Sequence, residues 1–599
     1  MRRLIAWMGR GPARPRLALL FALIPAVKSA AGAASVSLVE NGRPAAVIQV
    51  GASATLEHAA AEFRKYVRLA SDAELPMVAG DQVVSENVVL IGSDRNQPTI
   101  RQLKHEGLIG LPAEPDSFLI KTIYKAGKNY LVLGAQTDRA ALYAVYDFLE
   151  RFLGAGFFWE GDRIPQSSSL RVGEIELAVK PRLPIRFYMQ ECPFNYSTKA
   201  WDLPDWIREL DWVAKKKLNL LMVPEGSWNL IVPCDEIIKA AKHRGIQPVF
   251  GGECARFDGV TEDFVKQHPE HKYVRMRWWN DPPYQVLHPG DLLFVERGRE
   301  SVWRRVRQYG AGNVYFFSPY GEQTILDASA AEIREVRMQF ADSILRILQA
   351  EDPQGTWLFW TWPFISPPWP REDVAAFLQK TPMRNAFVCD SSQPERPGDY
   401  HHKRFNYFEG RPWLLSFIHL YGGDDYLTGN LAKLIQDVQA MLNDPRAKNC
   451  AGIYICPEII HYNPVYFELL ARLSWDPAAV TLDGFLDDYV RRRYGRDSFA
   501  TMNEAWRHLL TSVYGAQPGA EGQYQHRAGL GFGGDAQGLD LLKLQKTIRG
   551  NAVVMPLRRF LDLAFREAER QKANPCYVHD VVDVTRQLIT ETFNQVYYG

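Results

Sequence analysis

AGIYICPEIIHYNPVYFELLARLSW, residues 451–475, decides how the rest of the chain is read. The short apolar run AGIYIC ends in a turn at Pro457-Glu458, and after Asn463 the apolar spacing becomes that of a helix, PVYFELLARLSW. A run of this length bounded by turn residues fits a strand buried on both faces, as in a parallel sheet. A carboxylate at the carboxyl end of such a strand, ahead of a helix, is where a (β/α) barrel carries a catalytic group. The same setting recurs upstream in NVYFFSPYGEQT, where Glu322 follows the apolar run 314–317.

Outward from these two stretches the pattern repeats. Strands are expected over 185–192, 218–224, 246–252, 313–317, 355–362, 385–390, 413–421 and 451–456, with helical spacing between most of them. Eight such units in about 290 residues fit a (β/α)8 TIM barrel, typically about 250 residues plus insertions. The longest insertion, 253–297, follows the third strand, so it is expected over the active face; it carries Trp278, Trp279 and Asp281.

The barrel is expected over 181–475, opened by the rigid joint Pro-Arg-Leu-Pro at 181–184. Residues 35–180 read as a small N-terminal α/β accessory domain, with alternating strands such as SVSLVE and NYLVLGA and the amphipathic helix DRAALYAVYDFLERFLG. Residues 476–599 read as a C-terminal α-helical domain interrupted by a polar, glycine-rich loop. That loop contains GLGFGG, but with no strand before it the motif is not a dinucleotide fingerprint.

The first residues are not expected to belong to the fold. MRRLIAWMGRGPARPR supplies positive charge, LALLFALIPAV is an apolar core of a secretory signal, and KSAAGAAS offers small-residue cleavage sites. The expectation is a signal peptide over 1–34 and a mature protein that is secreted or periplasmic. No later apolar run reaches the roughly 18 residues of a membrane span. The net charge of +1, without a basic stripe, gives no sign of a nucleic-acid partner. Seven widely spaced cysteines form no CxxC metal pattern; most read as core thiols, although a Cys450–Cys456 bridge is open in an oxidising compartment. With no HExxH motif or ligand cluster at metal spacing, no cofactor is expected. The oligomeric state is not legible.

Several segments carry a resemblance. PEIIHYN (457–463), HLYGGDD (419–425), CPFNYSTKAWDLPDWIRELDWVA (192–214) and WLFWTWPF (357–364) together resemble glycoside hydrolase family 89, the α-N-acetylglucosaminidases. The resemblance implies a small N-terminal domain, a barrel and a helical C-terminal domain. It also implies an oligosaccharide or glycoconjugate substrate, with Glu458 as nucleophile and Glu322 as acid/base. By the resemblance Cys192, Tyr196 and Trp362 fall on the family's sugar pocket, and Trp201, His419 and Asn463, on the matched segments, are further candidate substrate-binding residues. The chain departs from the family's pattern at Gly321 and Gln190, where asparagine is usual, and at Ile459, where glycine is usual.

Paired carboxylates suit this chemistry for a physical reason. A glycosidic oxygen leaves poorly without a proton, and the anomeric carbon, turning cationic, needs a second carboxylate to attack it or to activate water. In an α-linked N-acetylglucosaminide the 2-acetamido group is cis to the leaving group and cannot attack from the back face. Attack from that face therefore falls to the enzyme, carboxyl groups about 5–5.5 Å apart giving retention and about 6.5–9.5 Å inversion; the resemblance implies an enzyme nucleophile and a retaining, exo-acting glycosidase. Two alternatives stay open: the same architecture acting on another terminal sugar (a hexose or uronic acid), or a non-catalytic carbohydrate-binding relative. Plainer roles also stand beside the functional ones. Glu322 could complement a helix dipole, Trp201 and Trp362 could be barrel packing, and Asp424 and Asp425 could cap a helix.

Overall fold

The computed structural model describes residues 34–78, 85–189, 191–224, 230–252, 257, 260–392, 400–419, 426–515 and 551–598. The expected signal segment up to residue 33, Gln190, Cys254, residues 420–425 of HLYGGDD and the glycine-rich loop lie outside the described residues.

The eight apolar runs form a closed parallel barrel: β1 (Ile185–Tyr188), β2 (Leu220–Met222), β3 (Gln247–Gly252), β4 (Val314–Phe317), β5 (Thr356–Trp360), β6 (Ala386–Asp390), β7 (Trp413–His419) and β8 (Cys450–Pro457). Each strand pairs with the next, and β8 returns to β1 with Gly452 opposite Ile185 and Tyr454 opposite Phe187. That seam needs a glycine: a Cβ on Gly452 would sit 2.0 Å from the Ile185 carbonyl oxygen. Inside, Phe187 stacks on Tyr454 at 4.1 Å between ring centroids, and Phe316 packs at the edge of both. The barrel is therefore filled by side chains and is no pore.

Helices separate the strands. Leu203–Lys215 opens with a capping box in which Asp202 and Asp205 exchange side chain-to-backbone bonds, and Ala330–Glu351 opens with another between Ser329 and Glu332. The insertion after β3 contributes two antiparallel strands, Tyr273–Trp278 and Tyr284–Leu287. Its sheet is completed by Gln323–Ile325, a short strand directly after Glu322 that sequence reading did not anticipate. Trp278 stands opposite Gln323 in that register, so the insertion is tied to the loop that follows β4.

The N-terminal region has a five-stranded mixed sheet in the order Val47–Val50, Asn87–Gly92, Lys128–Ala135, Phe118–Lys125, Glu176–Val179, covered by the helices Ala54–Ser71 and Asp138–Phe152. A buried ionic cluster joins it to the start of the barrel. Arg186, on β1 and fully buried, donates to Asp116 at 2.6 Å, and Arg139 and Asn219 bind the same carboxylate. Burial pushes the Asp116 carboxyl up, but the Arg139 and Arg186 guanidiniums outweigh it and hold it at about 2.

Helices Leu482–Tyr494, Phe499–Leu510, Asn551–Ala564 and Pro575–Tyr598 make up the C-terminal region. Arg493 grips Asp580 with two nitrogens and reaches Glu160 of the N-terminal region at 2.9 Å. Among the described residues no helix is long and apolar enough to cross a membrane. The Cys450–Cys456 bridge is ruled out by geometry: the two residues lie near opposite ends of one extended strand, roughly 20 Å apart at about 3.3 Å per residue.

Candidate active site

Glu322 leaves β4 with φ +58°, a left-handed conformation that a non-glycine residue adopts only when its surroundings impose it. Its backbone N–H donates to the Ser366 carbonyl at 2.6 Å, which ties the loop after β4 to the loop after β5. Three indole N–H groups then converge on its carboxylate. Trp362 donates to Oε1 at 3.1 Å, while Trp278 and Trp279 donate to Oε2 at 3.0 and 3.2 Å. A carboxylate has several acceptor positions and an indole only one donor, so this cage fixes the orientation of the acid while its ring faces stay apolar. Trp278 and Trp279 are 46% and 64% exposed, which leaves one side of the cage open to a ligand or to water. Trp362 was anticipated from its segment and Trp279 from its place in the insertion. What could not be anticipated is that both neighbouring tryptophans bind one carboxylate oxygen, because the strand Gln323–Ile325 that aligns them was not legible.

Glu458 follows β8 directly and is partly exposed. The loop after it is fixed from below. The Ile460 N–H donates to Ser197 Oγ at 2.9 Å, and His461 stacks on Trp201 with centroids 5.5 Å apart. His461 Nε2 donates to Glu209 at 3.2 Å, and Tyr188 donates to the other oxygen of that carboxylate at 2.5 Å. The segment 192–201 after β1 is thereby joined to the loop carrying Glu458. Burial pushes the neighbouring Cys456 thiol far above its ordinary range, so it is a neutral wall and no nucleophile.

The remaining expected pocket residues divide into two groups. Cys192 opens the short helix Pro193–Tyr196 and is partly exposed, Tyr196 is half exposed, and Trp201 is partly buried beside His461. Ser197 and Trp201 of this segment hold the loop that carries Glu458. His419 and Asn463 lie in the interior. His419 is buried at the end of β7 and stacks on Tyr466 at 3.8 Å. Asn463 is fully buried: its amide oxygen accepts from the Thr428 N–H and the Tyr514 hydroxyl, and its amide nitrogen donates to the Tyr426 carbonyl. A side chain whose donors and acceptors are met by protein in the interior has nothing left for a sugar hydroxyl. Direct sugar contact by Asn463 is therefore corrected to a bracing role, while His419 is buried with its ring face packed on Tyr466. Asn463 suits that role because asparagine tolerates its φ of +48°. Through Tyr514, and through Gln587 accepting from the Leu427 N–H, the C-terminal helices hold the loops after β7 and β8.

A tim-barrel domain model of α-N-acetylglucosaminidase (NAGLU) matches residues 234–477, and the C-terminal domain model of the same enzyme matches 485–599, together more than half of the chain. The human protein named alpha-N-acetylglucosaminidase is 23% identical over 524 residues, covering 77% of this chain and 67% of its own length. A family 89 glycoside hydrolase from Clostridium perfringens, solved in complex with its substrate GlcNAc-alpha-1,4-galactose, superimposes with a TM-score of 0.61 at 16% identity over 91% of this chain. The match spans 62% of that solved chain, so the present chain corresponds to about three fifths of its length. A family 115 4-O-methyl-alpha-glucuronidase with specificity for decorated arabinogalactans superimposes with a TM-score of 0.62 at 12% identity, covering 94% of this chain and 73% of its own. At these identities the solved structures establish a shared fold.

Proposed function

The chain belongs to the α-N-acetylglucosaminidase family, and on that premise we propose that it is an exo-acting retaining glycosidase that hydrolyses terminal α-linked N-acetylglucosamine. The observation that carries this reading is the indole cage on Glu322 at the same rim of the barrel as Glu458. The two glutamates follow β4 and β8, four places apart around a closed ring of eight, so the strands that bear them stand on opposite sides of the barrel mouth. A saccharide seated between them meets one carboxyl group from each side.

In this mechanism Glu322 gives a proton to the glycosidic oxygen as the C–O bond breaks, while the Glu458 carboxylate attacks the anomeric carbon from the opposite face. Water then enters as the leaving group departs, Glu322 takes its proton, and the Glu458 ester is released with the original anomeric configuration. The three indoles keep the Glu322 oxygens aimed at the leaving-group oxygen, so no side-chain reorientation is needed at the transition state. Trp362 and Trp279 thereby act on the acid, and Tyr196, Cys192 and Trp201 border the sugar on the Glu458 side.

The test is proton NMR of hydrolysis, with 4-nitrophenyl α-N-acetylglucosaminide beside the α-glucoside and α-glucuronide. Early release of the α-anomer from the first substrate alone is the expected result. Early β-anomer would overturn retention, and turnover of the glucuronide alone would move the protein to a different sugar. Export is part of the proposal, supported by the basic, apolar and small-residue order of residues 1–34. Mass spectrometry of the mature N-terminus should find it near Ala34.

A further inference from the structure

The insertion that delivers Trp278 and Trp279 begins with a second grouping of reactive side chains, remote from the glutamates in sequence. At the end of the short helix Glu262–Gln267 the chain runs His268-Pro269-Glu270-His271. The His271 N–H donates to the His268 carbonyl at 3.3 Å, closing a turn that brings the two imidazoles to one side. His268 Nδ1 lies 3.1 Å from Glu270 Oε1, and His271 Nε2 lies 3.8 Å from the same oxygen. One ligand atom from each of the three residues falls within 4.8 Å of the others, and among the described residues this is the grouping that meets that condition.

An independent feature points the same way. Asp291 is buried and immobilised: Lys272 N–H and Leu293 N–H each donate to it at 2.8 Å, and it caps the helix Leu292–Tyr309. Its Oδ1 lies 3.1 Å from His271 Nδ1. A carboxylate there can only accept, so Nδ1 is the donor, and Nε2, 3.8 Å from Glu270 Oε1, is the nitrogen left to face an ion. This is the outer arrangement by which proteins orient a metal-binding imidazole: a fixed carboxylate behind one nitrogen and the ion at the other.

We propose that His268, Glu270 and His271 form a three-ligand site for a divalent transition-metal ion, zinc by preference, with Asp291 as its orienting carboxylate. Two neutral nitrogens and one carboxylate oxygen, with solvent on the fourth side, match zinc, nickel or copper and not calcium or magnesium. The two rings are 6.1 Å apart. Imidazoles on one tetrahedral zinc at Zn–N of about 2.0–2.1 Å have centroids roughly 5 Å apart, so closure needs a movement of about 1 Å, which partly exposed side chains make by small rotations.

The site also has a consequence for the candidate active centre. His271 is followed after one residue by the strand Tyr273–Trp278, whose far end bears the indoles that hold Glu322. An ion on His271, with Asp291 behind it, pins the root of that strand to the helix Leu292–Tyr309. This coupling rests on the glycosidase reading above, whereas ion binding itself does not.

The test is isothermal titration of the chelator-treated full chain with zinc chloride, followed by cobalt substitution read by visible absorption. One zinc per chain with a Kd on the order of 10 µM and an intense tetrahedral cobalt spectrum are expected. His268→Ala and His271→Ala should abolish both. Asp291→Asn, which keeps the helix cap, should weaken binding about 10- to 100-fold. Glu458→Gln should bind zinc as the wild type does, so an inactive protein still reports on the site. Absence of saturable binding below about 1 mM, or equal binding by the His268→Ala/His271→Ala double variant, would overturn the proposal. Coupling predicts a few-fold loss of turnover on chelation in the wild type and none in His271→Ala; equal loss in both would reject the coupling alone.

Discussion

Removing single indole donors from Glu322 tests the proposed acid more sharply than removing the acid itself, since Trp→Phe keeps an aromatic ring and deletes one N–H. A hydrogen bond to a charged group contributes about 1.5–3 kcal/mol, and every 1.4 kcal/mol in a barrier is about tenfold in rate. Trp362 is partly buried and alone on Oε1, so Trp362→Phe should lower kcat about 10- to 100-fold. Trp278 and Trp279 are exposed and share Oε2, so water and the remaining indole replace a lost donor. Each single variant should therefore fall by less than about fivefold. The Trp278→Phe/Trp279→Phe double variant should lose more than the product of the two singles, because neither donor is left to cover for the other. The assay compares kcat on a 4-nitrophenyl glycoside with kcat on an alkyl glycoside, thermal unfolding being the control for folding. A misaligned acid matters little when the leaving group is already good, so the losses should concentrate on the alkyl substrate. Folded Trp362→Phe with wild-type kcat on the alkyl glycoside would refute the role given to the cage.

Glu322→Gln and Glu458→Gln should both stay folded and lose turnover, with activated leaving groups rescuing the first far better than the second; equal loss on every substrate would contradict the division of roles. Asp116→Asn should destabilise by about 3–5 kcal/mol, because it leaves the buried Arg186 guanidinium and the partly buried Arg139 guanidinium without their counter-charge, and chemical denaturation measures it. In the wild type, where this carboxyl is held at about 2, the stabilisation is complete above the unfolded value near 4 and is lost as pH falls toward 2, a span of about 2 kcal/mol. For His579, burial pushes the imidazole down, but Asp580, Glu160 and Asp583 together raise it to about 9. Its contribution to stability is therefore full below about pH 6.5 and disappears as pH rises through 9, and His579→Gln should flatten the unfolding temperature across that window. Asn463→Ala deletes three hydrogen bonds and puts alanine at φ +48°, so a loss of about 3 kcal/mol in stability is expected, with KM changed less than stability.

The barrel was legible because strands buried on both faces must be apolar runs, and eight of them alternate with helical spacing; each expected strand appears, most of them shorter by a few residues and the last longer by one residue at each end. Glu322 and Glu458 were legible for the same reason, since the carboxyl end of a barrel strand can be counted along a chain. The role of Asn463 was not. A motif match says that a residue is present, whereas whether its polar atoms meet a sugar or the protein depends on neighbours such as Tyr514 and Tyr426, far away in sequence. The sequence by itself therefore determined the order of elements and the positions of the two acids, because both follow from local periodicity. Only the tertiary structure decided that Trp278, Trp279 and Trp362 converge on one carboxylate and that Asp291 stands behind His271. Those meetings join segments about 20 to 80 residues apart, through a strand pairing and turns whose geometry no local pattern encodes.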